Sequence, residues 1–283
     1  MASEDGEWRR RRELNSLLRT CRAQMAPPLQ VPDGRGPRML PQVAGGRRHG
    51  MRQQDVAALA GVSADYYSRI ERGRVTISAA LAGKIASALR MTEAQRSAVH
   101  VLAAGHDPPR PVSRAPHVPA TEPGQALRDI VHQQGPYPAA VSDEMWTVRV
   151  HNAALSAWSA GWFDRADPPA RNMVLYLFSG EAEAFLPDLQ GLRRFSIAAL
   201  RYQYVRNLAS PRAQELVDRL LAHPEASKLW GQHELEIPPH EYPVRMRNPG
   251  SGAIAEALVV LTPIHPDLWL YIMHLPPVEP PAA

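Results

Sequence analysis

The segment MRQQDVAALAGVSADYYSRIERGR, from Met51 to Arg74, constrains this chain more than any other, because a glycine, Gly61, stands between two patches of helical periodicity. A glycine inside a helix costs about 1 kcal/mol relative to alanine, so Gly61 reads as the turn between two short helices. Before it, Val56, Leu59 and Ala60 follow an i, i+3, i+4 spacing, and Gln53, Gln54 and Asp55 supply a polar first turn with an acid at the positive end of the helix dipole. After it, Ser63 is placed to cap a helix on which Tyr67 and Ile70 stand three apart. Two amphipathic helices joined by a glycine turn form a helix-turn-helix.

At about 100° per residue from Tyr67, Ile70 falls near 300°, while Ser68, Arg72, Asp65 and Arg69 span roughly 100° to 200°. The polar face of this second helix is therefore continuous. Such a face serves either as a solvated surface or as the part of a DNA-binding domain that meets phosphates and base edges in a major groove. The preceding helix, the glycine turn and the small residues Ala57 and Ala60, which let two helices approach closely, favour DNA binding.

Charge supports the same reading. The formal net charge is +4, yet residues 1–105 carry 17 Lys+Arg against 9 Asp+Glu, a net +8, and the remainder carries 15 against 19, a net −4. Positive charge thus accompanies the helix-turn-helix, as an electrostatic footprint for a polyanion would. At 283 residues the chain has length for two domains, each with its own core. No apolar run approaches the roughly 18 residues of a membrane span, so no membrane partner is expected. The single cysteine, Cys21, excludes an intramolecular disulfide and suits a cytoplasmic location; on an amphipathic helix it reads as a small apolar filler.

A first helix is predicted from about Glu7 to Met25, with Leu14, Leu17, Leu18 and Cys21 as its apolar stripe. Residues 26–50 hold five prolines and five glycines together with Arg35, Arg38, Arg47 and Arg48. This basic arm is read in two ways: Arg47 and Arg48 follow the DNA backbone or enter the minor groove, or the segment is a disordered insertion. Further helices are predicted from Ser78 to Leu89 and, capped by Thr92, from Glu93 to Ala104, completing an all-α five-helix domain over residues 1–105. The proline-rich stretch 106–124 reads as a linker, 125–277 as a second domain and 278–283 as a tail.

The second domain mixes both kinds of element. Strand-length pieces flank Asp143 and Glu144, with Met145, Thr147 and Arg149 alternating against Trp146, Val148 and Val150. Helices are predicted over 153–159, within 171–180, over 192–207 and 211–221, and around Trp230, followed by three strands with turns at 248–252 and 263–267. This order makes an α+β domain, an antiparallel sheet with helices on one face. Trp146, Trp158, Phe178 and Trp230 are candidates either for its core or for the lining of a ligand cavity. Arg171, Asn172, Arg201 and Tyr202 are candidate polar handles: an arginine there either clamps a carboxylate or reaches solvent or a structural acid.

Residues 8–104 resemble the lambda-repressor-like helix-turn-helix of the xenobiotic-response-element (XRE) family, through LLRTCR, RRHGMRQQDVAALAGVSADYYSRIERGR and the two helices after them. With HNAALSAW, RNMVLYLF and ASKLWGQHEL in the second half, the chain resembles the MmyB-like transcription regulators of actinobacteria. The resemblance implies a PAS-like ligand-binding domain that takes a small amphiphile of fatty-acid-like kind. It also implies that Gln53 lies near a phosphate and that Ser63, Ala64, Asp65, Ser68 and Arg69 lie along the groove. An ion pair between Arg22 and Glu71 is implied as well, which makes Glu71 structural rather than a DNA contact. Glutamines in MRQQDVA replace an arginine and a glutamate common in that family.

Catalysis finds no support in the motifs. GxSxG, P-loop and HExxH patterns are missing, GRGPRM lacks the last glycine of GxGxxG, and His223, His233, His240, His265 and His274 are scattered without metal-ligand spacing. No enzyme activity, cofactor or metal is expected. Two functions remain for the whole chain: a one-component regulator, a homodimer on double-stranded DNA whose operator affinity a ligand shifts, or a DNA-binding regulator whose second domain docks or dimerises without a small ligand.

Overall fold

The computed structural model describes residues 2–25, 30–33, 36–39, 50–104, 123–265 and 267–275. The backbone falls into two compact units. The first is Met1–Val112 with Tyr204–Pro211 and Gly231–Ile237, and the second is Ser113–Gln203, Arg212–Trp230 and Pro238–Ala283. Residues 106–122 of the predicted 106–124 linker and the whole predicted tail, 278–283, lie outside the described residues.

The N-terminal region has α1 (Ala2–Gln24), a hairpin of β1 (Gln30–Asp33) and β2 (Gly36–Met39), then α2 (Gln53–Ala60), α3 (Ala64–Glu71), α4 (Ala79–Ala88) and α5 (Glu93–Ala104). The hairpin pairs Gln30 with Met39 and Asp33 with Gly36, so the segment read either as a DNA-contacting arm or as a disordered insertion contains antiparallel structure over these residues. Gly61 ends α2 at φ +72°, the left-handed region open to glycine, with Gly61 N–H donating to Ala58 O at 3.3 Å and Val62 N–H to Ala57 O at 2.9 Å. Ser63 Oγ then accepts Tyr66 N–H at 3.1 Å and opens α3. Thr92 and Gln95 satisfy each other's backbone N–H at the start of α5, a capping box of 3.2 and 3.0 Å.

Leu14, Leu17, Leu18 and Cys21 of α1 pack inward, as do Val56, Ala60, Tyr67 and Ile70. Leu59, expected among them, is 36% exposed. Burial pushes the Cys21 thiol up to about 12, so it stays protonated and unreactive at neutral pH.

The second domain opens with α6 (Gln125–Gln133), β3 (Ala139–Asp143) and β4 (Val148–His151). Helices α7 (Ala153–Trp158), α8 (Trp162–Arg165), α9 (Met173–Tyr176), α10 (Gly180–Phe185), α11 (Leu189–Arg206), α12 (Pro211–Leu221) and α13 (Pro224–Trp230) follow, and β5 (Glu241–Arg247), β6 (Ile254–His265) and β7 (Leu268–His274) end it. The five strands form one antiparallel sheet in the order β4-β3-β7-β6-β5, so the first strand lies between the second and the last. This is the antiparallel sheet with helices of the PAS-like expectation.

The main core lies on one sheet face, where Ala140, Val148, Met246, Val259, Leu261 and Met273 meet Leu155, Trp158, Phe163 and Tyr176 from the helices. Across the other face α6 brings Val131 and Leu127 onto Ala139, Val141, Val150 and Leu268. Val148 and Val150, predicted to point the same way, serve opposite faces because the pairing slips between Val141 and Ser142: Val141 faces Val150 and Ser142 faces Val148. The extra residue, Arg149, is a bulge, and a bulge shifts the alternation of every residue beyond it.

Candidate DNA-binding surface and ligand cavity

On α3 and its caps, Ser63, Ala64, Asp65, Arg69 and Arg72 are exposed. Ser68, expected on the same face, is 8% exposed and belongs to the packed side of the helix. Exposed Asp65, Arg69 and Arg72 therefore make a narrower polar face than the helical wheel indicated. Arg47 and Arg48 lie outside the described residues.

Behind that face stands a charged cluster. Glu71, whose side chain is 1% exposed, takes a two-pronged contact from Arg22: Nε to Oε1 at 2.6 Å and Nη2 to Oε2 at 3.0 Å. Arg22 Nη1 also donates to Met51 O at 2.9 Å, which ties α1 to the chain entering α2. Gln53 Nε2 donates to Glu71 Oε2 at 2.7 Å. Burial alone would raise the Glu71 carboxyl, but the hydrogen bonds from Arg22 and Gln53 and the arginine's charge outweigh it and hold the group below its ordinary value. Gln53 is half-buried and spends its amide donor here, anchoring the start of α2 to the end of α3.

In the second domain a partly enclosed cavity of about 80 Å³ sits between the main sheet face and the helices. That is several times the roughly 10–15 Å³ that admits one water. Trp146 and Trp158 line it, with Phe163, Leu192 and Met273 among its apolar walls and Tyr176, Tyr242 and Tyr271 as its phenols. Four of its wall residues, Leu186, Leu192, Phe195 and Val244, also wall a surface depression that carries the exposed Asp188–Arg245 pair at 3.1 Å.

Trp146 owes its position to the turn between β3 and β4. Asp143 Oδ1 accepts Met145 N–H at 3.0 Å and Thr147 N–H at 2.9 Å, and Trp146 is held at φ +62°, a left-handed conformation uncommon for a bulky side chain. Asn172 holds that turn rather than the cavity: its Nδ2 donates to Met145 O at 2.8 Å, while its Oδ1 caps α9 through Val174 N–H at 2.8 Å. On α11, buried Arg193 donates to Leu177 O and to Glu225, both at 2.7 Å, which fixes the helix that supplies Leu192 and Phe195.

The remaining candidates do not line the cavity. Arg171 Nη2 donates to Ala166 O at 3.3 Å. Arg201 donates to Trp230 O at 2.9 Å and lies over the Trp230 ring at 4.7 Å, so these two residues satisfy each other. Phe178 packs against His223 with the rings tilted by 55° and carries the Arg193 guanidinium over its face. Tyr202 is buried, 9% exposed. The three phenols went unread in the sequence, although Tyr242, Val244 and Met246, like Trp269, Tyr271 and Met273, repeat every second residue and so mark one sheet face.

Among the described residues no group of three or more His, Cys, Asp or Glu is placed to hold a metal ion, and no helix is long and apolar enough to cross a membrane. None of the curated proteins compared matches the chain. A helix-turn-helix family profile matches residues 47–95, the stretch that carries Gly61 and the α3 face. The profile of the MmyB-like transcription regulator ligand binding domain matches residues 123–283, more than half of the chain and the whole of the sheet around the cavity. This chain, an XRE-type helix-turn-helix followed by that domain, therefore belongs to the MmyB-like transcription regulators.

Proposed function

We propose that this DNA-binding regulator is of the one-component type, working in the cytoplasm as a homodimer: a small amphiphile occupies the cavity of its second domain and changes its affinity for an operator. The observation that carries the reading is the presence in one chain of an exposed Asp65, Arg69 and Arg72 face on the helix after the glycine turn and of an apolar cavity with tyrosine hydroxyls in its wall. A ligand that binds two states of the protein unequally shifts their populations, and operator affinity shifts with them. Such a device needs binding energy alone. The docking-module alternative has the exposed Ile254 and Leu258 on β6 in its favour, but two side chains are a small patch beside the cavity.

Selection of duplexes from a randomised pool by the full-length protein tests the DNA half of this reading. The expected outcome is a two-fold-related sequence, its half-sites about one helical turn apart, bound roughly 10³-fold more tightly than a scrambled duplex. Equal binding of selected and scrambled duplexes would remove the operator from the account.

A further inference from the structure

Resting on the reading of the cavity as a ligand site, we propose that the ligand's polar end is uncharged, an alcohol, ketone or ester oxygen rather than a carboxylate, and that it accepts a hydrogen bond from the Tyr176 hydroxyl.

The walls are the first reason. They contain no arginine, lysine, histidine, aspartate or glutamate among the described residues; the polar groups are the hydroxyls of Ser142, Ser159, Ser196 and the three tyrosines and the indole N–H groups of Trp146 and Trp158, all of them uncharged. Moving an ionised carboxylate into such surroundings costs several kcal/mol that neutral hydroxyls and a cation-free wall do not return, whereas a neutral oxygen needs one donor.

The second reason is an unmet donor. Tyr176 is 7% exposed, lines the cavity, and its hydroxyl oxygen is buried with no hydrogen-bond partner. Its ring is wedged against Trp162 and Phe163, with centroids 5.5 and 5.3 Å away, so the hydroxyl is held in place rather than free to turn toward water. Buried polar groups without partners are rare, and a site that binds a ligand is one place where they persist. Burial pushes the phenols of Tyr176, Tyr242 and Tyr271 up, which keeps them protonated and able to donate. The Glu181 carboxylate adds to the upward shift of Tyr176, so the field at this hydroxyl opposes a second negative charge.

The third reason is where the cations are. Arg201 is engaged with Trp230, and Arg245, at the neighbouring surface depression, pairs with Asp188; Arg171 donates Nη2–H to Ala166 O while its buried Nε has no partner, and it stands outside the cavity wall.

The test uses the full-length protein, its tryptophan fluorescence, to which Trp146 and Trp158 in the cavity wall contribute, and three probes: 1-octanol, octanoate and the smaller, wholly apolar n-hexane. At pH 8 octanol should bind at least tenfold more tightly than octanoate, and octanoate should gain about tenfold per unit as pH falls to 6, because only its protonated form enters. Tyr176→Phe should weaken octanol about fivefold and leave hexane unchanged. It should also keep or raise the thermal midpoint of the empty protein, since it removes an unpaired polar group. Octanoate binding as tightly as octanol, independent of pH between 6 and 8 and weakened by Arg245→Ala, would overturn the uncharged headgroup and leave the cavity as a ligand site. Failure of all three probes to bind would overturn the cavity reading itself.

Discussion

Replacing Glu71 with alanine is expected to destabilise the DNA-binding unit by about 3 kcal/mol, the cost typical of removing one partner from a buried ion pair. Arg22 would keep only Met51 O, and Gln53 would lose the acceptor that joins α2 to α3. For a domain of this size such a loss lowers the thermal midpoint by more than about 10 °C. A double-mutant cycle with Arg22→Ala isolates the coupling between the two side chains. The pair also sets an acid limit. Because the folded Glu71 carboxyl lies below its ordinary value, its stabilisation is complete above the unfolded pKa, about 4.3, and is lost as pH falls through the lower folded value. Glu71→Gln should therefore be less stable at neutral pH and show a flatter decline into acid, measured by thermal unfolding between pH 3 and 7.

Arg69→Ala combined with Arg72→Ala should lower affinity for the selected operator by 10- to 100-fold at fixed salt without unfolding the protein. Both side chains are exposed, and surface substitutions away from special contacts usually stay within about 0.5 kcal/mol of the parent. If both contact phosphates, the slope of log K against log salt becomes shallower by about 1.8, roughly 0.9 for each contact. If one reads a base edge, preference at that position relaxes instead. An unchanged affinity and slope, with the thermal midpoint intact, would show that α3 does not present this face to DNA.

The residues that were legible in advance are those whose role is local. Gly61, Ser63 and Thr92 announce turns and caps through their own backbone preferences and hydrogen bonds within four residues, whereas Ser78, read as the start of a helix, proves to be its cap. The stripe of α1 was readable because 23 residues give the helical period room to repeat. In the eight-residue α3 the period repeats only twice, so the edge of the buried face, at Ser68, depends on what packs beside it. Helices such as α8 and α10, of four and six residues, are shorter than the windows in which periodicity can be recognised.

The cavity was hidden for a different reason. Alternation on β5 and β7 shows that Tyr242 and Tyr271 share faces with Met246 and Met273, but not which face meets helices rather than water. The Arg149 bulge breaks the alternation on β4, and nothing in its local sequence marks the extra residue. Arg201 reads in the sequence as a carboxylate clamp or as an arginine reaching solvent or a structural acid; its partner, the Trp230 carbonyl, is 29 residues away in the chain and becomes a neighbour only after folding. Asn172, a candidate ligand contact by its type, is consumed by the backbone of the Trp146 turn and of α9.

The most direct test of the account is the affinity of full-length protein for its selected operator, measured with and without saturating 1-octanol, together with the affinity for octanol with and without the operator. The account predicts that octanol changes operator affinity by 5- to 150-fold and that the operator changes octanol affinity by the same factor, because coupling between two sites is reciprocal. An operator affinity that stays the same while octanol fills the cavity would contradict it.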